Sequence, residues 1–306
     1  MVLPEFTAGE LQRGMTTVAF IAVIASALFH SSYNMMIKSS EEKVLFMWSI
    51  FSVAVTAGWI TGWVTDSGFP ESASTVLLIA AVSAVFFTLY HLCTARAYAS
   101  LEGDLSLTYP ITTLAPIFIP IWAFAFLGNT FTITKVAGIL ISTAGTFCIQ
   151  LKPSSGRSRF RSIGFRNEAV HFALLASFLY SFGAISDKVG VNQGGFYFFT
   201  VCLMTMIFTY FTFVVASNSR LRKGAFHCFR HHSLKVFTGG TLLFLSNISY
   251  RYALGITDVS YAAGVRQSAS LFAVLMGIFL LGEPYGLGRF FASLLIALGI
   301  ALIKIG

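Results

Sequence analysis

YASLEGDLSLTYPITTLAPIFIPIWAFAFLGN at residues 98–129 and YALGITDVSYAAGVRQSASLFAVLMGIFLLGE at residues 252–283 are one pattern written twice. A shift of 154 residues overlays 98–150 on 252–304 without a gap. Tyr98, Ala99, Asp104, Ser106, Ala115, Phe118, Leu127, Gly128, Leu140, Gly145 and Ile149 meet their own residue types, and Lys135 meets Arg289. The polar turns repeat as well, Asp104 with Asp258 and LGN with LGE, so shared apolar composition is not the whole of the match. A fainter match relates ASALF at 25–29 to ASFLY at 176–180. The expected organisation is a polar tail at 1–14, a first unit at 15–151, a basic linker at 152–168 and a second unit at 169–306.

What each unit contains follows from composition. Of 306 residues, 56% are hydrophobic and only 10% charged, with 32 phenylalanines and a mean hydropathy of +0.78. A soluble domain carries about 25% charged residues, so this chain lacks the polar surface to face water. Crossing the hydrocarbon of a bilayer takes about 20 apolar residues in a helix. Ten segments meet that requirement, at 15–37, 44–64, 74–96, 105–127, 132–151, 169–188, 195–216, 236–254, 259–281 and 287–305. They are long and uniformly apolar, unlike the short alternating strands of a barrel. The expected fold is therefore all-α and membrane-integral, with ten transmembrane helices. Each half holds five spans, an odd number, so the second half enters the membrane in the opposite sense. Inverted repeats enclosing a midplane site are a transporter architecture.

The net charge of +8 sits in short loops between spans, which fits lipid headgroups better than nucleic acid. The four cysteines are far apart and show no metal-ligand spacing. No metal and no cofactor is expected, and no removable signal peptide.

Three stretches resemble the EamA branch of the drug/metabolite transporter superfamily: LFHSSYNMMIK at 28–38, YPITTLAPIF with FLGN across 109–129, and GVRQSASLFAVLMGIFLLGEP at 264–284. The resemblance covers nearly the whole chain and implies ten helices in two copies of a five-helix unit. It also implies export or exchange of small metabolites across a cytoplasmic membrane, of the bacterial inner-membrane type. It names no substrate. Asn129 stands where the family usually has Glu, and Ser32 and Tyr33 replace part of its first-helix pattern.

Individual residues sharpen the expectation. Arg266 lies about 12 Å into span nine at 1.5 Å per residue, among Ala262, Ala263, Ala269 and Ser270. A charge at that depth costs about 2.5 kcal/mol or more unless protein or water faces it. It either snorkels to the headgroups or faces a cavity, where its planar fork suits a carboxylate or phosphate. His30, Asn34 and Lys38 form one stripe on span one. The candidate substrate-binding residues are Arg266, Asn34, Gln267, His30, His91, Tyr90 and Tyr109, and His30 and His91 are the candidate proton-coupling groups. Pro110, Pro116 and Pro120 are expected to bend span four. Gly58 and Gly62 form a GxxxG suited to close helix packing. Residues 219–235 are expected as a basic loop, and Asp187 with Lys188 as a local ion pair.

The function expected is a secondary transporter of a small polar metabolite bearing a carboxylate or phosphate. Its partners are the lipid bilayer, the substrate, and a proton or counter-substrate, with the chain a monomer or homodimer. The alternative is a membrane protein handling a lipid or lipid-linked substrate, flippase-like or enzymatic. Enzymatic activity is not expected, because span interiors show no carboxylate or metal cluster. Lysine and arginine collect on the side of the odd-numbered loops, which puts both termini outside; the resemblance implies both inside.

Overall fold

The computed structural model describes residues 15–65, 73–99, 111–150, 168–281 and 287–306. Among the described residues there is no strand, and twelve helices of eight residues or more follow in order. They are α1 (Thr17–Lys38), α2 (Lys43–Val64), α3 (Ala73–Ala99), α4 (Ala115–Leu127), α5 (Ile133–Gln150), α6 (Glu168–Gly194), α7 (Phe196–Ser217), α8 (Ser219–His231), α9 (Ser233–Ile256), α10 (Val259–Arg266), α11 (Ser268–Leu281) and α12 (Leu287–Ile305). Five of these, α1, α2, α3, α6 and α7, are each long and apolar enough to cross a membrane unaided, and α4, α5 and α12 are shorter apolar helices. The expected ninth span is α10 and α11 together. The start of the fourth, with Tyr109 and Pro110, lies outside the described residues, as does the linker 152–167.

The packing is two-fold. Helix α1 lies along α9, and its counterpart α6 lies along α3; α2 meets α9 as α7 meets α3; α1 packs on α10 and α11 as α6 packs on α4. Two pairs, α2 with α7 and α5 with α12, join equivalent helices. Five-helix units related this way give an inverted ten-span bundle.

Small residues set the closest approach. A Cβ on Gly299 would stand 2.4 Å from the Ser142 backbone nitrogen, and one on Gly138 would stand 2.7 Å from the Gly299 carbonyl oxygen. In lipid, where apolar contact between helices gains little over contact with acyl chains, such backbone proximity is what holds helices together. The GxxxG of α2 packs within the chain: Gly58 meets Val201, Gly62 meets Tyr197, and the Tyr197 hydroxyl donates to the Gly58 carbonyl at 2.6 Å. Leu78, Phe124, Phe213 and Phe237 are exposed on the outer surface, where a bilayer replaces water.

One expectation needs correcting here. Residues 219–231 form a helix, α8, and not a loop. Its basic face places Arg220, Arg222 and Lys223 outward, while a Cβ on Gly224 would touch Leu45 of α2. Arg220 also pairs with Glu42 at 2.8 Å. The segment is an amphipathic helix, the form such a sequence takes at a membrane surface.

Candidate functional site: the paired helix breaks

Both halves interrupt the same span at the same register. Helix α10 ends at Arg266 and α11 starts at Ser268, with Gln267 between them. In the first half, Ile111 and Thr112 are helical, Thr113 and Leu114 are not, and α4 starts at Ala115. The shift of 154 residues carries Thr113 onto Gln267. The two breaks also touch, since Gln267 Nε2 donates to the Thr113 carbonyl at 3.4 Å. Pro116 accordingly stands in the first turn of α4, where no N–H bond is owed. It marks the start of a helix and does not bend the middle of one. Pro120 is the proline inside α4.

Half-helix starts at a bundle centre present free N–H groups and the positive end of a dipole. Here two such starts, those of α4 and α11, lie beside Arg266. The Ser268 hydroxyl, at the first residue of α11, is buried with no hydrogen-bond partner among the described residues.

Arg266 is partly buried. Its guanidinium lies 4.2 Å over the Tyr250 ring, 3.1 Å from His30 Nδ1 and 3.5 Å from Ser246 Oγ. A guanidinium only donates, so Nδ1 accepts; the Tyr33 hydroxyl sits 2.7 Å from the same nitrogen. Helices α1 and α9 are tied together beneath it, Ser26 Oγ donating to the Ser246 carbonyl at 2.7 Å and Ser246 Oγ to the Ser26 carbonyl at 3.0 Å. Tyr180 packs against Tyr90 at 5.1 Å, and Tyr90 against His91 at 4.8 Å. His91 is otherwise ringed by Phe51 and Phe211. Arg266, His30 and Gln267 thus meet at the centre. Asn34, a turn further along α1, makes no hydrogen bond to Arg266. His91 and Tyr90 belong to a neighbouring aromatic layer.

The sequence missed a second polar group. Asp187 does not pair with Lys188, because neighbours on a helix project about 100° apart. It faces inward, 1% exposed, with Oδ2 2.7 Å from Arg251 and Oδ1 accepting from Ser83 at 3.0 Å. Arg251, 3% exposed, also donates to Asn247 at 2.6 Å. Lys188 donates instead to the carbonyls of Leu254 and Thr257 at 2.6 and 3.1 Å. Lys135 is buried, 4.4 Å over the Tyr261 ring, and Asn129 donates to Asp258 at 2.9 Å. The one signal in the sequence was Asn247 and Arg251 spaced by four on an otherwise apolar helix.

Residues 168–305 match the EamA-like transporter family. The match lies in the second half of the chain and supports membership of that family. A solved structure described as "Crystal structure of protein" shares its fold, with a TM-score of 0.69 over 95% of this chain and 97% of its own, at 14% identity. No curated protein matches the chain. The match and the apolar helices together support an integral multi-pass membrane protein similar to a family of small-molecule transporters.

Proposed function

We propose that this EamA-like transporter carries a small polar metabolite with a carboxylate or phosphate, by alternating access around the paired helix breaks. The observation that carries the reading is a charge imbalance. Two guanidiniums lie in the bundle centre; Asp187 neutralises Arg251, while the partners of Arg266 among the described residues are an imidazole, a hydroxyl and an aromatic ring. A partly buried positive charge in a membrane bundle with no carboxylate bonded to it calls for an anion. The two half-helix starts and the spare Ser268 hydroxyl favour the same sign of ligand. Gln267, His30 and Asn34 supply polar groups around it, and Pro120 inside α4 and the two breaks are the places where the helices can flex.

Uptake of radiolabelled carboxylates and phosphates into proteoliposomes tests the reading. Saturable uptake of at least one anion supports it, and uptake confined to cations or neutral solutes overturns it. A lateral crevice of about 490 Å³ between α1, α11 and α12, lined by Phe20, Ile24, Leu271 and Leu275 with Lys304 at one end, favours a second reading, the handling of a lipid. Transbilayer movement of a fluorescent phospholipid in the same liposomes separates the two.

A further inference from the structure

Resting on that transport reading, we infer that Asp187 is the carrier's proton-binding group, and that Arg251 is the switch through which its proton admits the anion. The pair lies seven residues inside the end of α6 and is shut off from solvent on both partners. The groups around the carboxylate are Arg251 and Tyr250 on α9, Arg266 on α10, Ser83 on α3 and Lys188 on its own helix. Helix α4 carries no titratable residue, and α7 carries Tyr197, Cys202 and Tyr210, with Phe199 against the Arg251 guanidinium.

The fold does not need this pair. A buried ion pair at best breaks even against well-packed apolar side chains, and the balance is poorer within a membrane. The other half of the chain illustrates the point. The repeat register puts Ala97 opposite Arg251, and the 25–29 match puts Met36 opposite Asp187. The same architecture is therefore built there from an alanine, fully buried, and a methionine. Two donors around the pair are also spare: Arg251 Nε and the Tyr250 hydroxyl are buried with no hydrogen-bond partner among the described residues. Finally, Asp187 on α6 is bonded to Ser83 on α3. That contact joins the second repeat to the first, the boundary that alternating access must rearrange.

The step is simple to balance. A proton from water adds to Asp187 Oδ2, an O–H bond forms, and the ion pair with Arg251 is lost. The carboxyl is then neutral, and Arg251 joins Arg266 as a second guanidinium without a counter-charge. An anion now binds more tightly, and by reciprocity a bound anion favours the protonated carboxyl. Proton and anion move together.

Infrared titration of the purified full-length protein reads the carboxyl directly and needs no substrate. The difference between wild type and Asp187→Asn should show one carboxyl band that grows as pH falls. In proteoliposomes given a radiolabelled amino-acid mixture, an imposed pH gradient should drive accumulation by wild type. The Asp187→Asn protein should only equilibrate the mixture, while His91→Gln, in the neighbouring aromatic layer, should keep the response to the gradient. Should Asp187→Asn fail to fold, the double variant Asp187→Met with Arg251→Ala copies the apolar pair of the other half and serves in its place. A folded Asp187 variant with the wild-type carboxyl titration, or one still driven by the gradient, overturns the proposal, as does His91→Gln if it alone loses the response. If wild type takes up none of the mixture, an amino-acid substrate is excluded and the infrared result alone decides the role of Asp187.

Discussion

Arg266 and Arg251 carry the same charge into the same bundle, and their surroundings treat them oppositely. Arg251 is closed in by Asp187, Asn247 and the Phe199 ring, whereas Arg266 stays partly open at a helix break. Arg266→Ala should therefore weaken anion binding by roughly 30-fold or more, the equivalent of about 2 kcal/mol. It should leave the melting temperature of the empty protein within a few degrees of wild type, because it removes a charge that only a ligand satisfies. Arg266→Lys keeps the charge but loses the planar fork, and should fall between the two. Thermal unfolding with and without the transported anion reads both effects: ligand should raise the melting temperature of wild type and not of Arg266→Ala. Arg251→Ala should do the reverse, lowering stability by about 3 kcal/mol, since it strands a buried carboxylate. Arg266 was legible in the sequence as an arginine between small residues, deep in a span. Arg251 and Asp187 were not, because each lies close enough to a span end to pass for a headgroup anchor.

At the scale of helices, the breaks and the closest contact make separate predictions. The contact of α5 with α12 rests on glycines whose backbones touch, so Gly299→Leu forces the helices apart and should cost about 1–3 kcal/mol. Gly288→Ala, where an added Cβ meets nothing within 4 Å, should be neutral, and thermal melts of the two variants in one detergent check the contrast. The spans and the repeat could be anticipated from apolar run length and the matching turns, and the restart of span four at α4 from Pro116. The break at Gln267 could not. No proline or glycine marks it, and the interruption shows only through the backbone and its partner break at Thr113. The α8 helix was hidden for another reason: its charges suggested a loop, and its pairing with α2 is a tertiary contact.

For the whole molecule, the charge count sets the orientation. On the side of the even-numbered loops, Lys135 and Arg251 are buried and Lys188 is bonded to carbonyls. None of the three is a free loop charge, and the sequence count of fourteen against five already favours the side of the odd-numbered loops. The positive-inside bias points to termini outside. A reporter fused after Gly306 should therefore be active only if it functions outside the cytoplasm. Cytoplasmic activity there would reverse the assignment and the side from which Asp187 is protonated.

By itself, the sequence determined what depends on summed, local properties. Run lengths of apolar residues specify helices that cross a bilayer, an odd number of spans per copy inverts the second copy, and a low charge content excludes a water-facing surface. Only the tertiary structure decided which charges are partners. Asp187, Ser83 and Arg251 are separated by 64 and 104 residues along the chain, and no local rule links such positions. A buried charge in a membrane is tolerated only with its counter-charge or ligand in place, so packing alone showed that Arg251 is paired with a carboxylate and that Arg266 is bonded to none.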